Sequence, residues 1–291
     1  MDSAAVNRPR SSLTFSGKLR AWMVLGRISN LPTVWSNCLA GCWLGGWNGP
    51  LNVLLLCLGA SLLYIGGMFL NDVYDVGFDA EFRRDRPIIS GALSRGAATI
   101  GAVVLFVVGV SLISMINIRS GLLAVGLTIL IVVYDWTHKR TRTAPLLMAI
   151  CRFLLYLTAA SVGIAGITPR AIFFAIALAV YVASLSDLAR SESRPTAVLP
   201  YLWLLLVAPV LTALILDPPY VTVLRSLPLV LCIGWAMLVA RESVGRAVGL
   251  LLAGIVLVDL VAMSTTSLPF AIDYLVLFGI TLLFQKYIPA T

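Results

Sequence analysis

Charge is scarce in this chain. Asp, Glu, Lys and Arg together make up 12% of its 291 residues, against 60% for hydrophobic residues, and mean hydropathy is +0.98. A soluble domain of this size needs far more charge to wet its surface, so that class is excluded. Histidine is nearly missing, His138 being the only one. The cysteines (Cys38, Cys42, Cys57, Cys151 and Cys232) offer no pair with metal-ligand spacing to a histidine. Neither a zinc site nor a framework of disulfides is expected. A basic stretch interleaved with aromatics is also lacking, so the formal charge of +8 does not point to nucleic acid.

What the chain has is apolar runs of bilayer length. Ten candidates read at 22–46, 51–73, 97–116, 120–135, 146–167, 171–188, 197–216, 221–240, 247–263 and 268–286. The same runs also fit nine crossings with one re-entrant or surface segment. The expected fold is all-α, a polytopic membrane helix bundle of nine or ten transmembrane helices. Residues 1–21 read as a polar cytoplasmic tail without the order of a cleaved signal peptide, and 22–291 as a single transmembrane domain. Short breaks carry turn chemistry, as in "WNGP" at 47–50 and "DPPY" at 217–220. Counted on alternate sides, every Lys and Arg except Arg119, Arg170 and Arg225 falls on one side. The positive-inside rule makes that side, with both termini, cytoplasmic, in what reads as the cell's inner membrane.

The acids are few and clustered. Asp72, Asp75, Asp79, Glu81 and Asp85 crowd the end of the second span, with Arg83, Arg84 and Arg86 among them. If that helix continues, Asn71, Asp75 and Asp79 stand at i, i+4 and i+8, within an arc of roughly 80°. Stacked carboxylates at a membrane boundary repel one another, and a hard divalent ion relieves the repulsion. Mg²⁺ binds through a few carboxylates plus water and phosphate oxygens, and arginines suit phosphate. The pattern points to a Mg-diphosphate site; the blander reading is a solvated loop salt-bridged to its own arginines.

"NDVYDVGFDAEFRRDRPIISGALS", residues 71 to 94, resembles the first aspartate-rich motif of the UbiA-type intramembrane prenyltransferases, N-D-x-x-D-x-x-x-D followed by R-P-I-x-S-G-x-[IL]-S. "YDWTHKRT" at 134–141 is similar to that family's Y-x-x-x-x-K-R-x-T, and Asn37 in "LPTVWSNCLAG" fits its first-span asparagine. The family's second motif, D-x-x-x-D, is thinned here to Asp187 and Glu192 in "YVASLSDLARSESR". The context is also similar to a branch of the superfamily found in secondary-metabolite clusters.

The resemblance implies Mg²⁺ as cofactor, held by Asn71, Asp72, Asp75, Asp79, Asp187 and Glu192. It implies a diphosphate bound by Asn37, Arg86, Tyr134, Lys139 and Arg140, with Asp75, Asp79 and Lys139 as the catalytic group. The partners it implies are a prenyl diphosphate, a lipophilic and aromatic acceptor, and the bilayer. Trp35, Tyr64, Phe69, Phe153 and Tyr156 are candidates to roof the cavity. His138 is expected to be a solvated loop residue rather than a base. Arg152, inside the fifth span, either faces a polar interior or snorkels, and Asp259, deep in the ninth, is a functional candidate without a role. Two rivals stay open: a cation-coupled transporter, and a non-catalytic prenyl-lipid-binding or assembly subunit.

Overall fold

A computed structural model describes residues 15–139, 141, 143–191, 200–263 and 268–288. The described residues form helices and no strand. In chain order these are α1 (Phe15–Leu25), a 3-10 turn (Ile28–Asn30), α2 (Leu31–Leu44), α3 (Pro50–Tyr74), α4 (Val76–Phe82), α5 (Arg95–Ser114) and α6 (Ile118–Thr137). They continue as α7 (Ala144–Val162), α8 (Pro169–Ser191), α9 (Pro200–Leu205), α10 (Ala208–Leu216), α11 (Pro219–Ala240), α12 (Val244–Ala262) and α13 (Leu268–Tyr287).

Eight of these helices, α3, α5 to α8 and α11 to α13, are long and apolar enough to cross a membrane. Their outer stripes are apolar as well. Ile100, Val103 and Val107 stand exposed along α5, and Leu224, Leu231 and Leu238 along α11. These spacings keep each stripe on one helix face, and a bilayer is the solvent that such a surface fits.

The other two expected spans are interrupted. The run 22–46 is divided into α1 and α2 at Arg27, which takes a left-handed backbone conformation (φ 43°) straight after Gly26. That conformation is uncommon for a residue with a side chain, and it breaks the helix. The run 197–216 begins outside the described residues, and its described part is split into α9 and α10 around Val207.

Two buried clusters divide the bundle. One joins α1, α2, α3, α5, α6 and α7 around Leu56, Leu63 and Ile113. The other joins α2, α7, α8 and α10 to α13 around Phe174, Leu178 and Leu251. The seam is made by α2 and α7, which contribute to both. Gly41 and Gly45 let these two backbones meet: a Cβ on Gly41 would lie 2.8 Å from the Tyr156 carbonyl oxygen, and one on Gly45 would collide with the Ala160 carbonyl. Small residues four apart are a recurrent solution for helices that cannot rely on a hydrophobic drive within lipid.

Candidate active site

Asp72, Asp75 and Asp79 lie on a continuing helical path. Although α3 ends at Tyr74, the amide of Asp75 donates to Asn71 O (2.9 Å), that of Asp79 to Asp75 O (2.8 Å) and that of Arg83 to Asp79 O (2.8 Å). The i to i−4 ladder thus carries through the join into α4. Asn71, Asp72, Asp75, Asp79 and Arg86 are all buried, whereas Glu81, Arg83, Arg84 and Asp85 are exposed. The cluster is therefore more than a solvated loop.

Asp72 and Asp75 each have cationic neighbours. Asp72 lies between Arg27 Nη2 (3.5 Å) and Arg86 Nη1 (3.6 Å). Asp75 faces His138 Nε2 (3.1 Å) and Lys139 Nζ (3.3 Å). Burial pushes the Asp75 carboxyl up, but the hydrogen bond and charge of His138, with Lys139, outweigh it and hold it below the usual carboxylate value. Asp79 behaves oppositely: burial lifts it above that value, with only partial opposition from Arg86. Burial, and then the charge of Arg27, pull Arg86 down.

Asn71 binds sideways. Its Oδ1 accepts from Arg27 Nη2 (3.4 Å), and its Nδ2 donates to Asp135 Oδ1 on α6 (3.3 Å). Tyr134 stacks on His138 with centroids 5.1 Å apart, and Lys139 Nζ sits 3.7 Å over the Phe78 ring. Asn71, Asp75, Tyr134, His138, Lys139, Arg27 and Arg83 all line one cavity of about 320 Å³. Its inner wall is apolar, made by Val182, Leu185, Val248, Leu252 and Ile255 of α8 and α12. One end of the cavity thus suits an anion and the other a hydrocarbon.

Several expected residues lie elsewhere. Asn37 is fully buried in α2 and bonds Asp259 and Arg152 rather than lining that cavity. Asp187 lines a separate cavity with Thr143, Leu146 and Tyr201. Arg140 and Glu192 lie outside the described residues. Among the five aromatic candidates, Tyr64 lines the cavity. Trp35 donates to Ser61 Oγ (2.9 Å), Phe69 packs on Trp22, Tyr156 is wholly buried and Phe153 packs against the second cluster.

His138 is a correction to the sequence reading. It is a partly buried residue held between Tyr134 and Asp75, with a side chain only 11% exposed. Its Nδ1 lies 3.0 Å from the Asp135 carbonyl. The signal was present, since His138 follows Tyr134 by one helical turn. Arg27 and Asp135 were also passed over as site residues, and their contacts with Asn71 come from packing that local sequence does not encode.

A magnesium ion asks for oxygen donors with room left for water. Among the described residues, no three of His, Cys, Asp and Glu converge tightly enough to enclose a metal by themselves. Yet Asp72 Oδ2 and Asp135 Oδ2 are buried without a hydrogen-bond partner. Oxygen donors of this kind, with room left for phosphate and water, fit Mg²⁺, which rarely takes an all-protein cage.

The UbiA prenyltransferase family profile matches residues 30–188, more than half of the chain. The chain belongs to the UbiA prenyltransferase family. A digeranylgeranylglyceryl phosphate synthase from Methanopyrus kandleri is 31% identical over 123 residues, 42% of this chain and 45% of the relative. The match thus spans less than half the length of that relative. The solved structure of a UbiA homolog from Aeropyrum pernix K1 superposes with a TM-score of 0.66 at 15% identity, over 81% of this chain and 96% of that one. A UbiA homolog from Archaeoglobus fulgidus bound to GPP and Mg²⁺ gives a TM-score of 0.54 at 15% identity, covering 91% and 98%. At these identities the structural likeness speaks for the fold.

Proposed function

We propose that this protein is a Mg²⁺-dependent intramembrane prenyltransferase, moving a prenyl group from a prenyl diphosphate to a lipophilic acceptor with release of diphosphate. The observation that carries this reading is the 320 Å³ cavity itself, with the buried Asp75 among Arg27, His138 and Lys139 at its charged end and an apolar wall on α8 and α12. Family membership and the UbiA homolog bound to GPP and Mg²⁺ support it. In this reading the charged end faces the cytoplasm, as the Lys and Arg distribution favours.

Asn71, Asp75, Asp79 and the orphaned oxygens of Asp72 and Asp135 would hold the metal. When bound, Mg²⁺ supplies charge neutralisation to the departing diphosphate. Arg27, Arg83, Arg86 and Lys139 add fixed positive charge at the same end, which favours breaking the bond between prenyl C1 and the diphosphate oxygen. Tyr64, Met68 and Tyr134 keep bulk water from the allylic cation that develops. The acceptor forms the new bond to C1 and gives up one proton. Asn37 acts at one remove here, by fixing Arg152 through its Oδ1.

The non-catalytic reading draws on one observation: Asp187 lines a different cavity from Asp75. Diphosphate release separates the two. Purified protein in lipid is incubated with labelled prenyl diphosphates of several lengths and a lipid-soluble acceptor extract, with Mg²⁺ or with chelator. The expected result is metal-dependent release that vanishes in Asp75→Asn. Folded protein that releases no diphosphate from any donor would favour the binding role.

A further inference from the structure

The 320 Å³ cavity that Asp75 lines has a neighbour at the charged end of the bundle. A second space of about 260 Å³ is lined from α4, the end of α6, the start of α7 and the last turns of α8. The two share Tyr134, His138, Lys139, Ser186 and Arg190, so they meet across one wall. Phe78, Ala144 and Pro145 close the rest of the second space.

The charges on the two sides of that wall differ. The first cavity carries Asp75 and Asn71 beside its cations. Among the described residues, no carboxylate lines the second space, while Lys139, Arg190 and the ring of His138 all border it. The start of α7 contributes as well. This 19-residue helix sets its first two residues, Ala144 and Pro145, against the space, and the positive end of its macrodipole favours an anion there. Acids mixed with cations suit an anion that arrives with its own metal; cations alone suit an anion without one.

The register of α8 accounts for the difference. Ser186 and Arg190 are four apart and share the face that reaches both spaces. Asp187, one position on, is turned by about 100° and lines the cavity beside Tyr201 instead. The described part of α8 thus brings a hydroxyl and a guanidinium to this end of the site. Arg190 stands in the last turn of the helix, and its Nη2 donates to the Thr141 carbonyl oxygen (2.9 Å) in the connection between α6 and α7. That bond steadies a planar fork suited to a pair of phosphate oxygens. Lys139 Nζ lies 3.7 Å over the Phe78 ring and 3.3 Å from Asp75, so one ammonium borders both spaces.

We propose that the second space is a metal-independent diphosphate site, through which the diphosphate released at the Asp75 end leaves, and that Arg190 is its principal contact. The inference rests on the prenyltransferase reading and adds a product site to it. The bond to prenyl C1 is already broken when the ion crosses the wall, so it moves as inorganic diphosphate, with Lys139 common to the place it leaves and the place it enters. The Lys139 side chain is 43% exposed; solvent screening at such a position keeps the hold weak enough for release.

The test uses the full chain in nanodiscs of zwitterionic lipid, with EDTA present and inorganic diphosphate titrated by calorimetry. Wild type is expected to bind with a Kd on the order of 10⁻⁴ M. Arg190→Gln should weaken binding about tenfold, and Arg190→Lys, which keeps the charge but not the fork, about threefold. Phe78→Glu sets a carboxylate at a position that lines the second space and not the first, and it too should weaken binding about tenfold. Phe78 is exposed, so this variant decides the matter even where Arg190→Gln does not fold. Asp75→Asn, across the wall, should not weaken binding. No metal-free binding by a wild type that still shows Mg²⁺-dependent release overturns the proposal alone, as does binding that Arg190→Gln and Phe78→Glu leave intact. Binding that disappears when anionic lipid replaces part of the zwitterionic lipid would assign the site to a lipid phosphate and overturn it as well. Arg190-dependent binding in a protein that releases no diphosphate from any prenyl donor would overturn the exit role together with the prenyltransferase reading.

Discussion

The Asp75 cluster and the Asp259 network are two ways of holding charge in an apolar bundle. Around Asp75 the contacts are long and shared, from 3.1 to 3.6 Å, and neighbouring oxygens on Asp72 and Asp135 go unpartnered. Asp75, Arg27, His138 and Lys139 line the cavity of about 320 Å³, and Asp135 a smaller one between α3, α6 and α7. Around Asp259 the bonds are short, 2.6 Å to its Oδ2 from both Ser36 and Asn37; its Oδ1 too is buried without a partner, but the residue lines neither of these cavities. A buried polar group with unmet bonding capacity is costly unless something arrives to meet it. The first cluster has a cavity through which a ligand can reach it; the second, away from that cavity, ties α2 and α12 together and steadies Arg152 on α7.

If that contrast holds, the two regions fail differently when broken. Asp75→Asn should cut metal-dependent diphosphate release by roughly 10³-fold, about 4 kcal/mol at the transition state, with little change in thermal stability. Asp259→Leu should leave Ser36 and Asn37 without their acceptor and cost about 3 kcal/mol of stability. That loss would be read as a lower Tm in detergent, with release per folded molecule falling far less than in Asp75→Asn, because the substitution reaches the cavity only through Asn37 and Arg152. Arg27→Gln removes one of the two guanidiniums near Asp72 and a donor to Asn71, so the KM for donor should rise about tenfold, about 1.4 kcal/mol. The smallest effect is expected at Asp187, which lines a different cavity from Asp75: Asp187→Asn should change release by no more than about threefold, under about 1 kcal/mol. A loss at Asp187 as large as that at Asp75 would mean that the two meet in the working state.

The parts of this arrangement legible in the sequence are those governed by local periodicity and composition. Hydropathy alone marks an all-helical membrane bundle, and the i, i+4, i+8 spacing of Asn71, Asp75 and Asp79 survives the join between α3 and α4. The break at Arg27 was written only faintly, in Gly26 and Pro32, because a left-handed residue costs little enough to be set by tertiary packing. The partners across helices were not legible. His138 on Asp75, Asp135 on Asn71 and Asp259 on Asn37 pair residues 63, 64 and 222 positions apart, and only packing decides such neighbours. Asp187 shows the converse: matching a motif position did not bring its side chain to the cavity of Asp75, because its face of α8 turns toward α9 and the start of α7.

The most direct test places Asp75→Asn beside Asp259→Leu and measures two quantities on each purified protein: Mg²⁺-dependent diphosphate release per folded molecule, and Tm. The account predicts that Asp75→Asn loses release and keeps its Tm, while Asp259→Leu loses Tm and keeps most of its release. Release that persists in Asp75→Asn at the wild-type rate would contradict it, because the chemistry would then lie outside the cavity that Asp75 lines.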